Sequence, residues 1–257
     1  MTMGPGLALA LMLLMASAPP AAAPRRSLVV AAAANLKLAA EDLKKGFEAE
    51  HPDVDVSLSY GASGTFFAQI RNGTPMDLFL SADREYPDQV VAAGLAAASD
   101  ERVYAFGKLV VWLPPGSRLD VETRGLAVLT DPAVKRIAIA NPAVAPFGRA
   151  TEAALRAAGV LEAVRDKLVL GSSVGHAAQL AATGGADVAF LPRSLTLWPE
   201  LSAGRVIPVA EALHPHIEQA GVVLRHARDP ALARAFLAFV TGEKGRAILA
   251  RNGYGLP

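Results

Sequence analysis

Residues 27–61 read SLVVAAAANLKLAAEDLKKGFEAEHPDVDVSLSYG. Ser27 to Ala33 is an apolar run with β-branched residues near its start, the pattern of a parallel strand buried on both faces. From Leu36 to Glu50 the apolar residues stand at 36, 38, 39, 43 and 47 with charges between them, a helical period. His51-Pro52 stops that helix. Val54 to Tyr60 then alternates apolar and polar residues, a second strand. A strand, a helix and a strand this close together make one βαβ unit, whose two strands run parallel.

The same alternation continues outward. Ser63 is placed as the N-cap of a helix through Arg71, ended by Asn72-Gly73. Asp77 to Leu80 is a short strand, and Glu85 to Ala93 a helix closed by Gly94. A second set begins near Tyr104. It has strands at 108–113, 137–140 and 187–191, helices at 148–158, 161–168 and 174–182, and an edge strand at Val206-Ile207-Pro208-Val209, where a proline is tolerated. Ala220 to Leu224 is apolar again, followed by helices at 230–240 and 243–251. Connections are short and no Pro/Ser-rich linker or internal repeat interrupts them. The expected fold is therefore α/β, with two lobes that share the chain rather than follow one another. The expected limits are 24–103 with 214–257 for the first lobe and 104–213 for the second.

Upstream, residues 1–23 carry no charged side chain. Leu7 to Met15 is an apolar run of nine residues, too short for a bilayer that needs about 20. Pro19-Pro20 breaks it, and Ala21-Ala22-Ala23 offers small residues for cleavage. This reads as a secretory signal peptide cut after Ala23. No Lys or Arg precedes the run, so the free amine supplies the positive charge or the start codon lies elsewhere. No later segment reaches the length of a membrane span, so a soluble exported protein is expected.

Composition narrows the function. The 257 residues carry 25 Lys+Arg and 24 Asp+Glu, a formal net charge of +1. That balance gives no basic stripe for nucleic acid and no polybasic membrane patch. There is no cysteine. Disulfides, thiolate zinc sites, a cysteine nucleophile and a lipid-modified N-terminal cysteine are thereby excluded. The chain has no G-x-S-x-G, Walker loop, G-x-G-x-x-G or H-E-x-x-H. His214 and His216 flank a proline without a third ligand nearby, and read as loop residues. His176 reads as structural or rim-lining at a helix start. Asp77 and Asp83 bracket a strand end, where capping is the expected role.

Four segments share one pattern of strand end, small or amide residue, and helix start. They are Ala33-Ala34-Asn35-Leu36, Gly61-Ala62-Ser63-Gly64, Ala145-Pro146-Phe147-Gly148 and Ser172-Ser173-Val174-Gly175. Each start exposes unpaired N–H groups and about half a positive charge. Several aimed at one point hold an anion with no Arg or Lys, and Asn35 and Ser63 add side-chain donors.

These residues carry a resemblance. Residues 29–36 (VVAAAANL), 60–65 (YGASGT), 76–83 (MDLFLSAD) and 141–148 (NPAVAPFG) are similar to the periplasmic molybdate-binding proteins of ABC importers, the ModA type, and the similarity runs through the mature chain. It implies a type II periplasmic-binding-protein fold: two α/β lobes, each a mainly parallel sheet flanked by helices, with a hinge and an oxyanion in the cleft. The implied oxyanion ligands are Asn35 and Ser63, with backbone N–H groups of Asn35, Ser63, Phe147 and Val174. Molybdenum would be held as the oxyanion, with no direct metal ligation and no cofactor. Phe147 lies where relatives carry Ala or Tyr, which is harmless when only its N–H is used. Pro192 lies where some relatives place a Tyr hydroxyl on the oxyanion, a contact absent here; relatives with Asn at the first ligand position manage without it. The implied function is capture of molybdate or tungstate and delivery to a membrane permease by a periplasmic monomer, without catalysis or nucleic acid. The alternatives are a carrier of sulfate or another tetrahedral oxyanion, and an exported oxyanion sensor. A secreted hydrolase using Ser63 would need a positioned base, and no histidine is motif-linked to it.

Overall fold

The structure, a computed structural model, describes Met1 and residues 25–257. Apart from Met1, the expected signal segment of residues 1–23 lies outside the described residues. In chain order the first part holds β1 (Arg26–Ala33), a 3-10 turn (Ala34–Leu36), α1 (Lys37–Glu50), β2 (Val54–Gly61), α2 (Ser63–Arg71), β3 (Leu78–Leu80), α3 (Glu85–Ala92) and β4 (Ala96–Gly107). The second holds β5 (Leu109–Leu113), α4 (Val121–Arg124), β6 (Ile137–Ala140), α5 (Pro146–Ala157), α6 (Leu161–Val164), β7 (Leu168–Gly171), α7 (Val174–Ala182), β8 (Val188–Pro192) and β9 (Arg205–Pro208). β10 (Ile217–Leu224), α8 (Pro230–Thr241) and α9 (Glu243–Arg251) then return to the first.

Two five-stranded sheets result, ordered β2-β1-β3-β10-β4 and β7-β6-β8-β5-β9. The chain passes between them twice, at Lys108 and over residues 209–216. Each sheet is mixed. β1 pairs parallel with β2 and β3, and β6 with β7 and β8, whereas β10 and β5 run antiparallel to both their neighbours. β5 and β10 are the first strands after each crossing, and they enter their sheets from the junction side, against strands that entered by helical crossovers.

The decisive run at residues 27–33 is apolar because β1 is covered twice. Leu28, Val30 and Ala32 pack with Ala39, Leu43 and Phe47 of α1. Ala31 on the other face joins Phe66 and Ile70 of α2 and Val90 of α3. β2 alternates because it is an edge strand: Val54 and Val56 are buried while Asp55 and Ser57 are exposed. The core of the second sheet extends to Ala33, Ala34, Ala62 and Ala82 of the first part. Ile217 of β10 joins it as well, so the first part meets the second through small alanine methyl groups and one larger side chain.

Two elements depart from the sequence reading. β4 has no counterpart in it. Its first half is Ala-rich and polar, and it is a strand because β10 offers it a free edge; polar side chains are usual on an outermost strand. Tyr104, where the second set of elements was expected to begin, is inside this strand. The helix expected at 161–168 ends at Val164. Lys167 Nζ donates to the carbonyls of Leu129, Thr130 and Asp131, and Leu168 is already paired with Ile137 of β6. Among the described residues no helix is long and apolar enough to cross a membrane.

Candidate functional site

The four helix starts leave the ends of two pairs of adjacent parallel strands. Ala33 of β1 lies beside Gly61 of β2, and Ala140 of β6 beside Gly171 of β7. The starts of α1 and α2 therefore emerge side by side, as do those of α5 and α7. This is where open α/β sheets bind ligands. The two pairs also meet each other. Gly64 N–H donates to the Val144 carbonyl at 2.9 Å. A Cβ on Gly64 would lie 3.0 Å from Val144 Cα and would strike the Tyr86 hydroxyl, so this approach requires glycine. On the other side a Cβ on Gly175 would come 3.5 Å from the Ala34 methyl.

Asn35, Ser63, Phe147 and Val174 are thus brought to one junction, and each is at most 5% exposed. Ser63 and Val174 are the first residues of α2 and α7, and Phe147 is the second of α5. Asn35 is the middle residue of the 3-10 turn. At these positions the backbone N–H has no partner within its own helix, and none of the four donates to any other group among the described residues. Buried, unpaired N–H groups are rare in folded proteins. Four at the tips of converging helices form a cradle of donors with positive potential. Phe147 contributes only backbone to it, since its ring is buried and its tip lies against Gly107.

Ser63 is not the cap that its sequence suggests. Ala62 holds the N-cap position without a side-chain bond, and Ser63 Oγ accepts from Ala82 N–H at 3.0 Å. One of its two lone pairs is committed and its proton remains to be given. Asn35 is placed differently from the expectation too. Its Nδ2 donates to Gln219 Oε1 at 2.8 Å and to the Tyr254 hydroxyl at 3.1 Å, while Oδ1 is buried without a partner. Its backbone carbonyl accepts from Tyr254 at 2.7 Å and from Ser194 Oγ at 2.9 Å. Ser194 follows Pro192 by two residues, so a hydroxyl from this loop holds Asn35 in place.

The two carboxylates that bracket β3 are occupied, and Asp77 lies at the end of that strand away from the helix starts. Asp77 accepts from the N–H of Val29 and Arg228 and pairs with the Arg228 guanidinium at 2.8 Å. Burial pushes its carboxyl up, but Arg228 and the two N–H donors outweigh that and hold it below the usual carboxylate range. Capping is therefore not its role. Asp83 does serve the start of α3, accepting from Tyr86 N–H at 3.2 Å, and also binds Ser81 Oγ and Arg149. Burial raises its pKa despite these partners. Arg149, on α5, also reaches Glu85 at 3.1 Å and the Tyr86 hydroxyl at 3.2 Å. It therefore bridges the two parts of the molecule across the junction, and no motif announced it.

The histidines are apart from this site or at its edge. His176 Nδ1 accepts from Ser172 N–H at 3.1 Å and lies in a hollow with Ala34, Lys37, Ser173 and Trp198. His216 packs tilted against Phe106 with ring centres 4.5 Å apart. Among the described residues no group of His, Cys, Asp and Glu could hold a metal ion. The cradle offers donors, and its chemistry is that of an anion site. Sequence reasoning missed Gln219, Tyr104 and Tyr254. Gln219 is fully buried in β10 between Glu218 and Ala220, and a polar pair opening an otherwise apolar strand was the available signal.

Residues 28–255 match the family described as bacterial extracellular solute-binding protein. The molybdate-binding protein ModA of Azotobacter vinelandii is 36% identical over 226 residues, covering 87% of this chain and 88% of that protein. The Rhodobacter capsulatus protein of the same name is 35% identical over 222 residues, covering 86% and 85%. The solved structure of the Azotobacter vinelandii periplasmic molybdate-binding protein superposes with a TM-score of 0.82 at 32% identity, covering 90% of this chain and 99% of that one. The sulfate-binding protein SubI of Mycobacterium tuberculosis, at 19% identity and a TM-score of 0.73 over 90% and 86% of the chains, shares the fold.

Proposed function

This chain belongs to the bacterial extracellular solute-binding proteins, within the ModA group of ABC-importer binding proteins, and we propose that its solute is molybdate, with tungstate as a close substitute. The observation that carries the proposal is the donor-only cradle. Four unpaired backbone N–H groups and the Ser63 proton belong to helix starts gathered at the junction of the two parts, and Asp83 beside them is engaged. Molybdate and tungstate are unprotonated dianions near neutral pH and accept at every oxygen.

Asn35 and Ser63 come from the first sheet's side, Phe147 and Val174 from the second's. An anion touching all four is bound fully only when the two parts are together, so it favours closure. The hinge would be the two crossings at Lys108 and residues 209–216. The Arg149 bridge to Asp83 and Glu85, and the Gly64 N–H to Val144 bond, would be made on closure and lost on opening. The permease of the importer would meet the surfaces around the cleft mouth. The protein would act in the periplasm as a monomer after removal of residues 1–23. No chemistry is part of the role: the Ser63 oxygen is engaged by a backbone N–H rather than by a general base.

Isothermal titration of the purified chain with molybdate, tungstate, sulfate and phosphate tests this. Tight binding of the first two supports the reading. Tighter binding of sulfate would instead make this a sulfate carrier built on the same cradle, and heat from none of the four would remove the oxyanion function.

A further inference from the structure

We infer that Gln219 is a positioning residue for the oxyanion site: it holds the Asn35 side-chain amide turned so that Nδ2, rather than Oδ1, faces the ligand. The inference rests on the oxyanion reading above and goes beyond it to a residue that does not touch the anion.

Asn35 is 1% exposed and Gln219 is 0% exposed. With Asn35 Nδ2 donating to Gln219 Oε1, two polar atoms stay buried and unpaired, Asn35 Oδ1 and Gln219 Nε2. A third conflict lies at Tyr104. Its hydroxyl has one proton, yet it faces two acceptors, the Ser81 carbonyl at 2.7 Å and Gln219 Oε1 at 3.1 Å.

The two amides touch, so they can turn only together; turning both by half a revolution exchanges their oxygens and nitrogens, removes the conflict at Tyr104 and frees Asn35 Nδ2, while Gln219 Oε1 takes the unpaired place of Nε2. Gln219 Nε2 then donates one proton to Asn35 Oδ1 and the other to the Tyr104 oxygen. Tyr104 gives its own proton to the Ser81 carbonyl. Tyr254 then has one proton for two acceptors, the Asn35 carbonyl at 2.7 Å and Asn35 Oδ1 at 3.1 Å, a cost that the anion's bond to Asn35 Nδ2 offsets; the Asn35 carbonyl keeps the Ser194 hydroxyl in either case. Asn35 Nδ2 takes the place of the unpaired Oδ1, with its protons free for a dianion to accept. The amide at position 219 suits this because one nitrogen carries two protons, one for Asn35 and one for Tyr104. An anion has different affinities for the two arrangements and selects the donor-facing one.

The experiment measures molybdate binding by titration for the wild type, Gln219→Met, Asn35→Ala and the double variant, with thermal melting as the check on folding. Gln219→Met, similar in size and without a donor, should weaken binding roughly two- to tenfold, the loss of one neutral hydrogen bond. In the Asn35→Ala background the same change should have no further effect, because Gln219 acts through Asn35. An equal loss in both backgrounds would overturn the inference and make Gln219 a structural residue of the strand. Wild-type affinity in Gln219→Met would overturn it as well. Should Gln219→Met fail to fold, the wild type itself decides. The Asn35 side-chain amide signals, assigned in ¹⁵N-labelled protein, should shift on saturation with molybdate, and signals that stay in place would refute the inference. If the wild type binds neither molybdate, tungstate nor sulfate, the oxyanion reading fails and this inference with it. Wild-type binding with an indifferent Gln219 defeats only the inference.

Discussion

Replacing Ser63 by alanine separates two effects that the structure assigns to one oxygen. Ser63 Oγ accepts from Ala82 N–H at 3.0 Å, and Ala82 is buried at 3% exposure. Without the oxygen that N–H is left unpaired in a dry place, which costs about 1–3 kcal/mol of stability with or without ligand. The hydroxyl proton makes a separate contribution. A hydrogen bond to a charged acceptor contributes about 1.5–3 kcal/mol, and each 1.4 kcal/mol is about tenfold in affinity. Ser63→Ala should therefore melt at a lower temperature and bind molybdate about ten- to a hundredfold more weakly. Titration at a temperature where the variant is fully folded measures the second effect free of the first. A variant that melts lower but binds molybdate at the wild-type Kd would refute the reasoning. Ser63 would then be a structural serine holding the loop after β3, and outside the anion's shell.

Arg149→Ala removes the bridge from α5 to Asp83 and Glu85. The pair is partly exposed, 34% for Arg149 and 14% for Asp83, so solvent discounts it to roughly 1 kcal/mol. Molybdate affinity should fall about two- to tenfold and the gap should narrow at high salt; an unchanged Kd at low salt would exclude the bridge from closure. Asp77→Asn should cost about 1.5–3 kcal/mol in denaturant unfolding, since Asp77 loses charge-assisted bonds while Arg228, 54% exposed, is rehydrated. The folded-state pKa of Asp77 is lowered, so its contribution is present above the unfolded carboxylate value and is lost as pH falls through the folded one. The variant should accordingly lose less stability than the wild type on acidification, and parallel acid limbs would contradict this. Hydrogen phosphate carries a proton that needs an acceptor, and Asp77 and Asp83 are both engaged. Competition should rank molybdate and tungstate first, then sulfate, then phosphate; phosphate displacing molybdate as well as sulfate does would reveal a hidden acceptor. Small-angle scattering should show compaction on adding molybdate, and an unchanged radius with tight binding would place the site within one half of the molecule.

The sequence by itself determined the alternation of strands and helices around residues 27–61 and the four helix starts. Those features are local. A strand covered on both faces must be apolar along its length, and a helix with one buried face must repeat near 3.6 residues, so burial writes itself into neighbouring positions. The donors at Ser63, Phe147 and Val174 were legible for the same reason, because the first residues of any helix lack partners wherever the helix sits. Only the tertiary structure decided what depends on distant partners. β4 is a strand through the free edge of β10, 110 or more residues later in the chain. The Ser63 hydroxyl left its own helix for Ala82 N–H, which follows β3. Asp77 serves Val29 and Arg228 rather than a helix end. The Asn35 amide answers to Gln219 and Tyr254, more than 180 positions away. A side chain with several donors and acceptors can be satisfied in many ways, and which way is realised depends on what the fold brings beside it.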